Sequence, residues 1–154
     1  MDRFLESLKK AEQKIAATDH LVYVTFPLVK EKNILIQSLL SIKEIVIMCI
    51  NLILQYEYLN KRIDLSSDPS QNFRIFKEEC SKTYFIQERD IKEIERMFDL
   101  ARSHKKSPME LIKDGKVVIL SKNMEKKTFT IEDIKIFLGI SKKIIEKTKK
   151  IFCK

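Results

Sequence analysis

The chain has 154 residues, 44% of them hydrophobic and 34% charged, which suits one domain with one hydrophobic core and excludes a disordered chain. Only 2 glycines are present, and this excludes a glycine-rich phosphate loop. The net charge of +8 lies entirely in residues 104–154, which hold 14 basic and 6 acidic residues, whereas residues 1–103 hold 16 of each.

The N-terminal segment predicts one helix that ends at Pro27. Apolar residues recur at helical spacing after Asp2, an acceptable N-cap, at Phe4, Leu5, Leu8, Ala11 and Ile15. The apolar block at 21–26 suits either a buried continuation of this helix or a short strand, and we favour the continuation. The residue before a proline resists helical geometry, so we expect the helix to stop there.

Residues 32–62 predict a long second helix at the centre of the fold. Apolar side chains recur at spacings of three and four and also occupy the other sides of this helix. A helix that is hydrophobic nearly all round is covered by the rest of its protein. Its longest apolar run, IVIMCINLIL at 45–54, is too short by itself to cross a bilayer, so we expect a core helix and no membrane span.

A predicted loop separates this long helix from two further predicted helices. The stretch LSSDPSQN at 65–72 predicts a loop, which a short helix at 73–84 and an amphipathic helix at 86–104 follow. The second of these helices ends in the basic segment ARSHKKS, directly before a break at Pro108.

After Pro108 the apolar pattern changes from helical to extended. Residues 116–122 and 126–131 are rich in β-branched side chains and flank NMEK, which predicts a small β-hairpin. Thr130 then caps a last helix, with Asp133 in the place of a capping-box partner. The predicted fold is mainly α, a four- to five-helix bundle around the long apolar second helix with a small β-hairpin before the last helix. Residues 1–154 form a single domain in which the hairpin is an insertion at about 116–131.

Basic residues gather at the ends of two predicted helices. Arginine offers a planar fork to phosphate and lysine adds a point charge. The candidate nucleic-acid-binding residues are Arg102, His104, Lys105, Lys106, Lys142, Lys143, Lys147 and Lys150. Positive side chains also stabilise the C-terminal end of a helix, so a solvated lysine-rich face is the alternative interpretation. The aromatic residues of a stacking platform for single strands are missing near 102–106.

No group of residues in the sequence predicts a catalytic or metal site. Histidine suits the acid–base steps of RNA cleavage, but a lone histidine near a helix end, such as His20 or His104, is more often a cap or a surface residue. Cys49, Cys80 and Cys153 show no zinc-site spacing, and their odd number argues against a disulfide framework. We therefore predict no metal and no cofactor, and we name no catalytic residue.

The N-terminus predicts the compartment. The first residues, MDRFLESLKKAEQK, lack the apolar stretch of a signal peptide. With no membrane span expected either, the sequence predicts a cytoplasmic protein.

Two phrases resemble a family of conserved archaeal proteins. They are DHLVYVTFPLVKEKNIL at 19–35 and HKKSPMEL at 104–111. The match follows the chain in order over most of its length, from the first helix to the extended stretch after Pro108. The resemblance implies an archaeal cytoplasmic protein and brings no activity with it.

More loosely, the order of helices is similar to that of HEPN domains (higher eukaryote and prokaryote nucleotide-binding), which are helical bundles and often dimers. Some of them are ribonucleases that use an arginine followed four to six residues later by a histidine. Here Arg102 lies two residues before His104, and Arg96 lies eight residues before it. The resemblance therefore implies the bundle, and the ribonuclease motif is unmatched.

Three hypotheses for the function follow. The first, which we prefer, is a non-enzymatic interaction or assembly module, forming a homo-oligomer through apolar helix faces. The second is binding of RNA or another polyanion by the basic residues of 102–154. The third is a HEPN-like ribonuclease that uses His104 with Arg102. None of the three hypotheses requires a membrane or a small-molecule cofactor.

Overall fold

The secondary structure is mainly helical, with a small antiparallel sheet before the last helix, which confirms the mainly α prediction. In this computed structural model, which describes residues 2–152, the α-helices are α1 (Asp2–His20), α2 (Phe26–Val29), α3 (Lys32–Leu59), α4 (Pro69–Ile75), α5 (Ser81–Thr83), α6 (Glu88–Lys106) and α7 (Ile131–Phe152). Two π-helical segments, Leu21–Thr25 and Phe76–Cys80, join neighbouring helices without a break. The strands are β1 (Met109–Lys113), β2 (Lys116–Leu120) and β3 (Lys126–Phe129).

Helix α3 confirms the long second helix that the sequence predicts, and it forms the centre of the hydrophobic core. It packs against α1, α6 and α7. Its side chains at Leu39, Ile42, Ile45 and Ile53 have no exposed surface. Each such burial stabilises the fold by about 1.5–3 kcal/mol relative to exposure. Apolar residues are needed on several sides because three helices pack against it, while the stripe with Gln37, Glu44, Asn51 and Gln55 stays exposed.

Helix α3 also satisfies the length and composition of a membrane span, the one helix among residues 2–152 that does. The run at 45–54 is too short alone, but it lies within a helix of 28 residues. Half of the most apolar 18-residue window is buried inside the protein, and the mostly buried core helix of a soluble protein would satisfy the two criteria as well. A signal sequence near the N-terminus would satisfy the same two criteria.

The chain stays helical through Pro27, so the prediction that this proline ends the first helix is wrong, while the predicted continuation through 21–26 is confirmed. In the π-helical segment the Phe26 N–H bonds to the Leu21 carbonyl, five residues back, so the turn before the proline is wider than an α-turn. This wider turn accommodates a ring that would collide with a carbonyl in a regular helix. Lys30, in the left-handed conformation with φ 55°, then ends α2.

The loop predicted at 65–72 is shorter in the structure because Asp68 begins a helix. The Asp68 carboxylate accepts a hydrogen bond from the Ser70 N–H at 3.0 Å. Pro69 occupies the first helical position, where a missing N–H leaves no hydrogen bond unmade. The helix predicted at 73–84 is therefore part of a helical segment that runs from Pro69 to Thr83.

The predicted hairpin is confirmed as β2 and β3, but it belongs to a three-stranded sheet of order β1-β2-β3. Strand β1, which was not predicted, pairs antiparallel with β2. Asp114 (φ 53°) and Gly115 (φ 76°) form the two-residue turn between them, and both have the left-handed backbone of a type I′ hairpin. The Asp-Gly pair is the sequence signal for this additional strand.

Thr130 and Asp133 cap α7 reciprocally, as the sequence predicts. The Asp133 carboxylate accepts a hydrogen bond from the Thr130 N–H at 2.9 Å, and the Thr130 hydroxyl accepts one from the Asp133 N–H at 3.3 Å. Phe129, directly before the cap, and Ile134, directly after it, are fully buried. The cap thus fixes the angle at which the chain passes from the sheet into the last helix.

Replacing Thr130 with alanine should lower the free energy of unfolding by about 1 kcal/mol, because the hydroxyl that caps the helix is lost. Urea unfolding followed by circular dichroism measures this change. Thr130→Ser keeps the hydroxyl and should retain most of the stability. Equal stability losses in the two variants would contradict a stabilising role for the cap.

Candidate functional site

Helices α6 and α7 run antiparallel, and their register separates the candidate basic residues into two groups. Lys143 Nζ lies 3.6 Å from Asp90 Oδ2, and Arg96 Nη2 lies 2.9 Å from Asp133 Oδ1. At 1.5 Å per residue, the basic end of α6 lies about 13 Å beyond Arg96, and the last candidate lysines of α7 lie about 20–25 Å from Asp133 in the opposite direction. The two groups therefore do not converge on one site.

Two of the α7 lysines hold neighbouring helices to α7. Lys142 Nζ lies 2.6 Å from Asp19 Oδ1 at the end of α1, and it also lies 5.9 Å from the centre of the Tyr23 ring. Lys143 makes the contact with Asp90 of α6. Because a carboxylate already faces each ammonium group, both charges are largely compensated within the fold.

The other two candidate lysines of α7 lie near its C-terminal end. Lys147 Nζ donates hydrogen bonds to the carbonyl oxygens of Tyr84 at 3.0 Å and Phe85 at 2.9 Å. Lys150 is exposed and lines the same cavity as these two residues. This lysine pair belongs to a separate cavity at the end of the molecule remote from the sheet.

Six lysines at the end of α6 and in the sheet have an uncompensated charge. They are exposed, and within residues 2–152 none has a carboxylate oxygen within 4.0 Å of its Nζ. We call them the sheet-end lysines: Lys105, Lys106, Lys113, Lys116, Lys122 and Lys126. The sequence singles out the first two of them, and it misses the other four because their proximity depends on the sheet.

One face of the sheet carries three of the sheet-end lysines. Side chains alternate along each strand, and cross-strand partners share a face. On this face the rows are Met109–Leu120–Lys126, Leu111–Val118–Thr128 and Lys113–Lys116. The opposite face carries Lys127, which contacts Asp99 of α6 at 2.5 Å, so that face packs against the helix. The lysine-bearing face is therefore directed away from α6.

A hydrogen-bonded corner holds the sheet against the end of α6. The Ser107 hydroxyl lies 2.6 Å from the Met109 carbonyl oxygen and 2.7 Å from that of Leu120, so it spans β1 and β2. Lys32 Nζ donates to the Glu110 carbonyl oxygen at 3.3 Å and so links the start of α3 to the same strand. The sheet-end lysines of α6 and of the strands consequently stand on a fixed support, and Lys122 alone among the six lies in the loop between β2 and β3.

Arg102 and His104 point away from each other. They are two residues apart on α6, which is about 200° around a helix of 3.6 residues per turn. His104 Nδ1 lies 2.6 Å from Glu110 Oε2 in a half-buried contact with β1. Arg102 lines a groove with Phe73 and Phe98 on another side of α6. The two side chains therefore do not form an arginine–histidine pair.

A cavity of about 490 Å³ opens between α6 and the loop that joins β2 to β3. Its lining includes Ser103, Lys106, Lys122, Asn123 and Lys127. Since Lys127 is paired with an aspartate of α6, Lys106 and Lys122 against the lining acid Glu125 leave one positive charge in excess. The cavity extends the basic surface from the helix end to the sheet.

Glu57 forms a buried polar cluster that the sequence reasoning misses. Its side chain is 3% exposed, although it lies in the apolar helix α3. The carboxylate accepts hydrogen bonds from the Tyr84 hydroxyl at 2.8 Å and from Arg62 Nε. Its sequence signal is the spacing, because Glu57 follows the buried Ile53 by four residues and therefore lies on the core side.

This cluster changes the ionisation of both partners of Glu57. The hydrogen bond to the carboxylate raises the pKa of Arg62, so the guanidinium stays charged. Burial raises the pKa of Tyr84, and the hydrogen bond to Glu57 raises it further. The cluster ties the end of α3 to the end of α5 through one carboxylate.

Comparisons with protein-family models, with curated proteins and with solved structures found no match for this chain. Among the described residues, no group of three or more His, Cys, Asp or Glu side chains is placed to hold a metal ion. A functional proposal therefore depends on the charges, contacts and cavities of this chain alone.

Ionisation of Tyr84 should destabilise the fold at high pH. Because its pKa is raised in the folded state, its contribution to stability is present below the ordinary tyrosine pKa of about 10 and is lost as the pH rises through the folded value. Urea unfolding between about pH 8 and pH 11 should show a smaller loss of stability in Tyr84→Phe than in the wild type. Tyr58→Phe, at an exposed tyrosine, should follow the wild-type curve. Parallel curves for all three proteins would contradict this linkage.

Proposed function

We propose that the protein is a non-enzymatic binding module that holds RNA through the sheet-end lysines. The observation that carries the proposal is the difference between the two groups of lysines. Lys142 and Lys143 of α7 face carboxylates of the same chain, whereas the sheet-end lysines have no carboxylate within 4.0 Å among residues 2–152. A lysine that is already paired must give up its partner before it can bind a phosphate, and an unpaired one need not.

The distribution of charge supports a polyanion as the partner. Residues 104–130 hold seven lysines and three acidic residues, Glu110, Asp114 and Glu125, and the first of these acids is engaged with His104. Lysines that neutralise phosphates release counterions from the nucleic acid, which favours binding at low salt. A concentrated positive field also accelerates the encounter with a polyanion.

The composition of the lysine-bearing face supports binding to the RNA backbone. Its central residues are aliphatic, with Leu111 and Val118 partly exposed, and it has no aromatic side chain on which bases could stack. Contacts to phosphate fix position without reading sequence. The proposal is therefore for RNA binding that depends on charge and shape and not on base identity.

The proposal also includes three predictions made from the sequence: the helical bundle, the relationship to archaeal proteins and the cytoplasmic compartment. We propose that α1, α3 and α7, which contact one another, form the core of a helical bundle similar to HEPN domains. The resemblance of two phrases, at 19–35 and 104–111, to archaeal proteins is the support for an archaeal cytoplasmic module. Cleavage of RNA by His104 with Arg102 is not included, because these side chains leave α6 on different sides.

A double variant of the sheet-end lysines tests the proposal. Lys105→Ala with Lys106→Ala should weaken binding of a fluorescent single-stranded or duplex RNA several-fold, and should reduce the slope of log affinity against log salt by about 2, one for each lost phosphate contact. Fluorescence polarisation over a salt series measures both quantities.

The matched control removes the same charge from α7. Lys142→Ala with Lys143→Ala should leave the salt slope unchanged, because these lysines face Asp19 and Asp90. Absence of RNA binding at low salt, or equal losses in the two double variants, would refute the assignment.

Assembly into a homo-oligomer is a second proposal, and the segment around Pro27 supports it. Four large apolar side chains are exposed within seven residues: Tyr23 (49%), Val24 (46%), Leu28 (82%) and Val29 (47%). In a two-fold dimer each copy contributes the same surface, so a second copy of the chain is a natural partner for this segment.

Sedimentation velocity tests the assembly. The wild type should form dimers as its concentration rises, and Leu28→Lys should shift it to monomers because a charge would be buried in the interface. Met124→Lys, at an exposed residue near the sheet, should keep the dimer. A wild type that is monomeric at every concentration would remove this proposal.

A further inference from the structure

A second basic cavity lies at the end of the molecule remote from the sheet. It has a volume of about 480 Å³ and opens where the end of α3, the end of α5 and the last turns of α7 meet. Its lining includes Arg62, Thr83, Phe85, Lys147 and Lys150. This size lies within the range of small-molecule sites. We call it the Phe85 cavity.

Packing within the chain explains neither the backbone conformation of Phe85 nor the exposure of its ring. Its φ is +56°, and the ring is 83% exposed. The Ile86 N–H bonds to the Ser81 carbonyl at 2.8 Å and the Phe85 N–H to the Lys82 carbonyl at 3.4 Å, the pattern of a helix end at which glycine is the usual residue. A glycine would adopt this backbone without strain, and the ring buries little surface in the protein.

Lys147 fixes the backbone that displays this ring. Its Nζ donates to the carbonyl oxygens of Tyr84 and Phe85 at 3.0 and 2.9 Å. The ammonium group has three N–H donors, so one is left after these two bonds. The ring is therefore held at the cavity rim by a positively charged group that can still donate to a ligand.

The Phe85 cavity has a surplus of positive charge. Buried Glu57 compensates Arg62, whose side chain is 53% exposed and keeps donors beyond its Nε. The acceptors of Lys147 are neutral carbonyls. Lys150 has no carboxylate oxygen within 4.0 Å anywhere in the described part of the chain. Two positive charges therefore remain uncompensated around one exposed aromatic ring.

We propose that the Phe85 cavity binds a planar aromatic ring that carries a phosphate group, as in a nucleoside monophosphate. The ligand's ring stacks on Phe85, since an exposed aromatic face attracts a base of any identity. Its phosphate is bound by Lys147 and Lys150, with Arg62 as a further donor. A free nucleotide and the phosphorylated end of an RNA strand share this chemistry. The site is independent of the proposed RNA-binding surface, which lies at the other end of α7.

Calorimetric titration of the full chain with AMP, adenosine and inorganic phosphate tests the two-part recognition. AMP should bind. Adenosine and phosphate should each bind at least about tenfold more weakly than AMP, because each engages only half of the site. A wild-type chain that shows no binding of AMP at millimolar concentration would overturn the proposal.

Phe85→Gly separates ligand binding from folding. It should keep or raise the melting temperature, because glycine suits a positive φ, and it should weaken AMP binding about tenfold. Met124→Gly is the matched control, since Met124 is also exposed (69%) and has φ 64° but lies between β2 and β3. Equal AMP affinities in these two variants would refute a stacking role for Phe85.

Lys150→Ala isolates the phosphate part of the site. It should weaken the binding of AMP and leave that of adenosine unchanged, whereas Lys135→Ala, at an exposed lysine near the other end of α7, should change neither. Equal AMP affinities in these two lysine variants would refute the phosphate assignment. Competition against AMP by an RNA oligonucleotide with a 5′-phosphate, but not by the same strand without it, would identify an RNA end as the ligand. Failure of both strands to compete would identify the free nucleotide.

Discussion

The fold depends on burying the apolar sides of α3. These sides would lose hydrophobic free energy in water, so α1, α6 and α7 pack against them, and only a stripe that includes Gln37, Glu44, Asn51 and Gln55 stays exposed. Once the apolar stripes of these long helices are used in this way, little apolar surface is left for a deep central site. Both proposed anion sites consequently lie at the ends of the molecule, where the helices end and the sheet begins.

The location of a lysine decides its role in this chain more than the number of lysines does. Lys142, Lys143 and Lys149 of α7 lie beside carboxylates of α1 and α6 and act as cross-links. In the sheet, and at the C-terminal end of α7, other lysines have no carboxylate close to them among the residues that the structure describes, and they keep their charge for a partner. The same composition thus produces neutralised lysines along α7 and uncompensated lysines at the two ends of the molecule, and only the uncompensated ones are suited to an anion.

The sequence predicts those parts of the fold that a local pattern determines. The periodicity of α3 and the reciprocal cap at Thr130 are such patterns, and both agree with the structure. The sequence does not predict the passage through Pro27, because this depends on a π-turn, which no residue type specifies, and the only local signal for β1 is the two-residue Asp-Gly turn. The candidate site was less predictable still. The separation of the two basic groups follows from the register of α6 on α7, and the contact of Glu57 with Tyr84 joins residues 27 positions apart.

The buried carboxylate of Glu57 joins the end of α3 directly to Tyr84, just after α5, so the covalent path between these two ends does not determine their spacing. The segment between α3 and α4 is held separately, because Ile63 and Leu65 pack against the core and Asn72 bonds to Ser66. A longer connection would add only a small closure entropy. The arrangement of aromatic and cationic side chains around Glu57 thus depends on one buried side chain and not on the length of this connection.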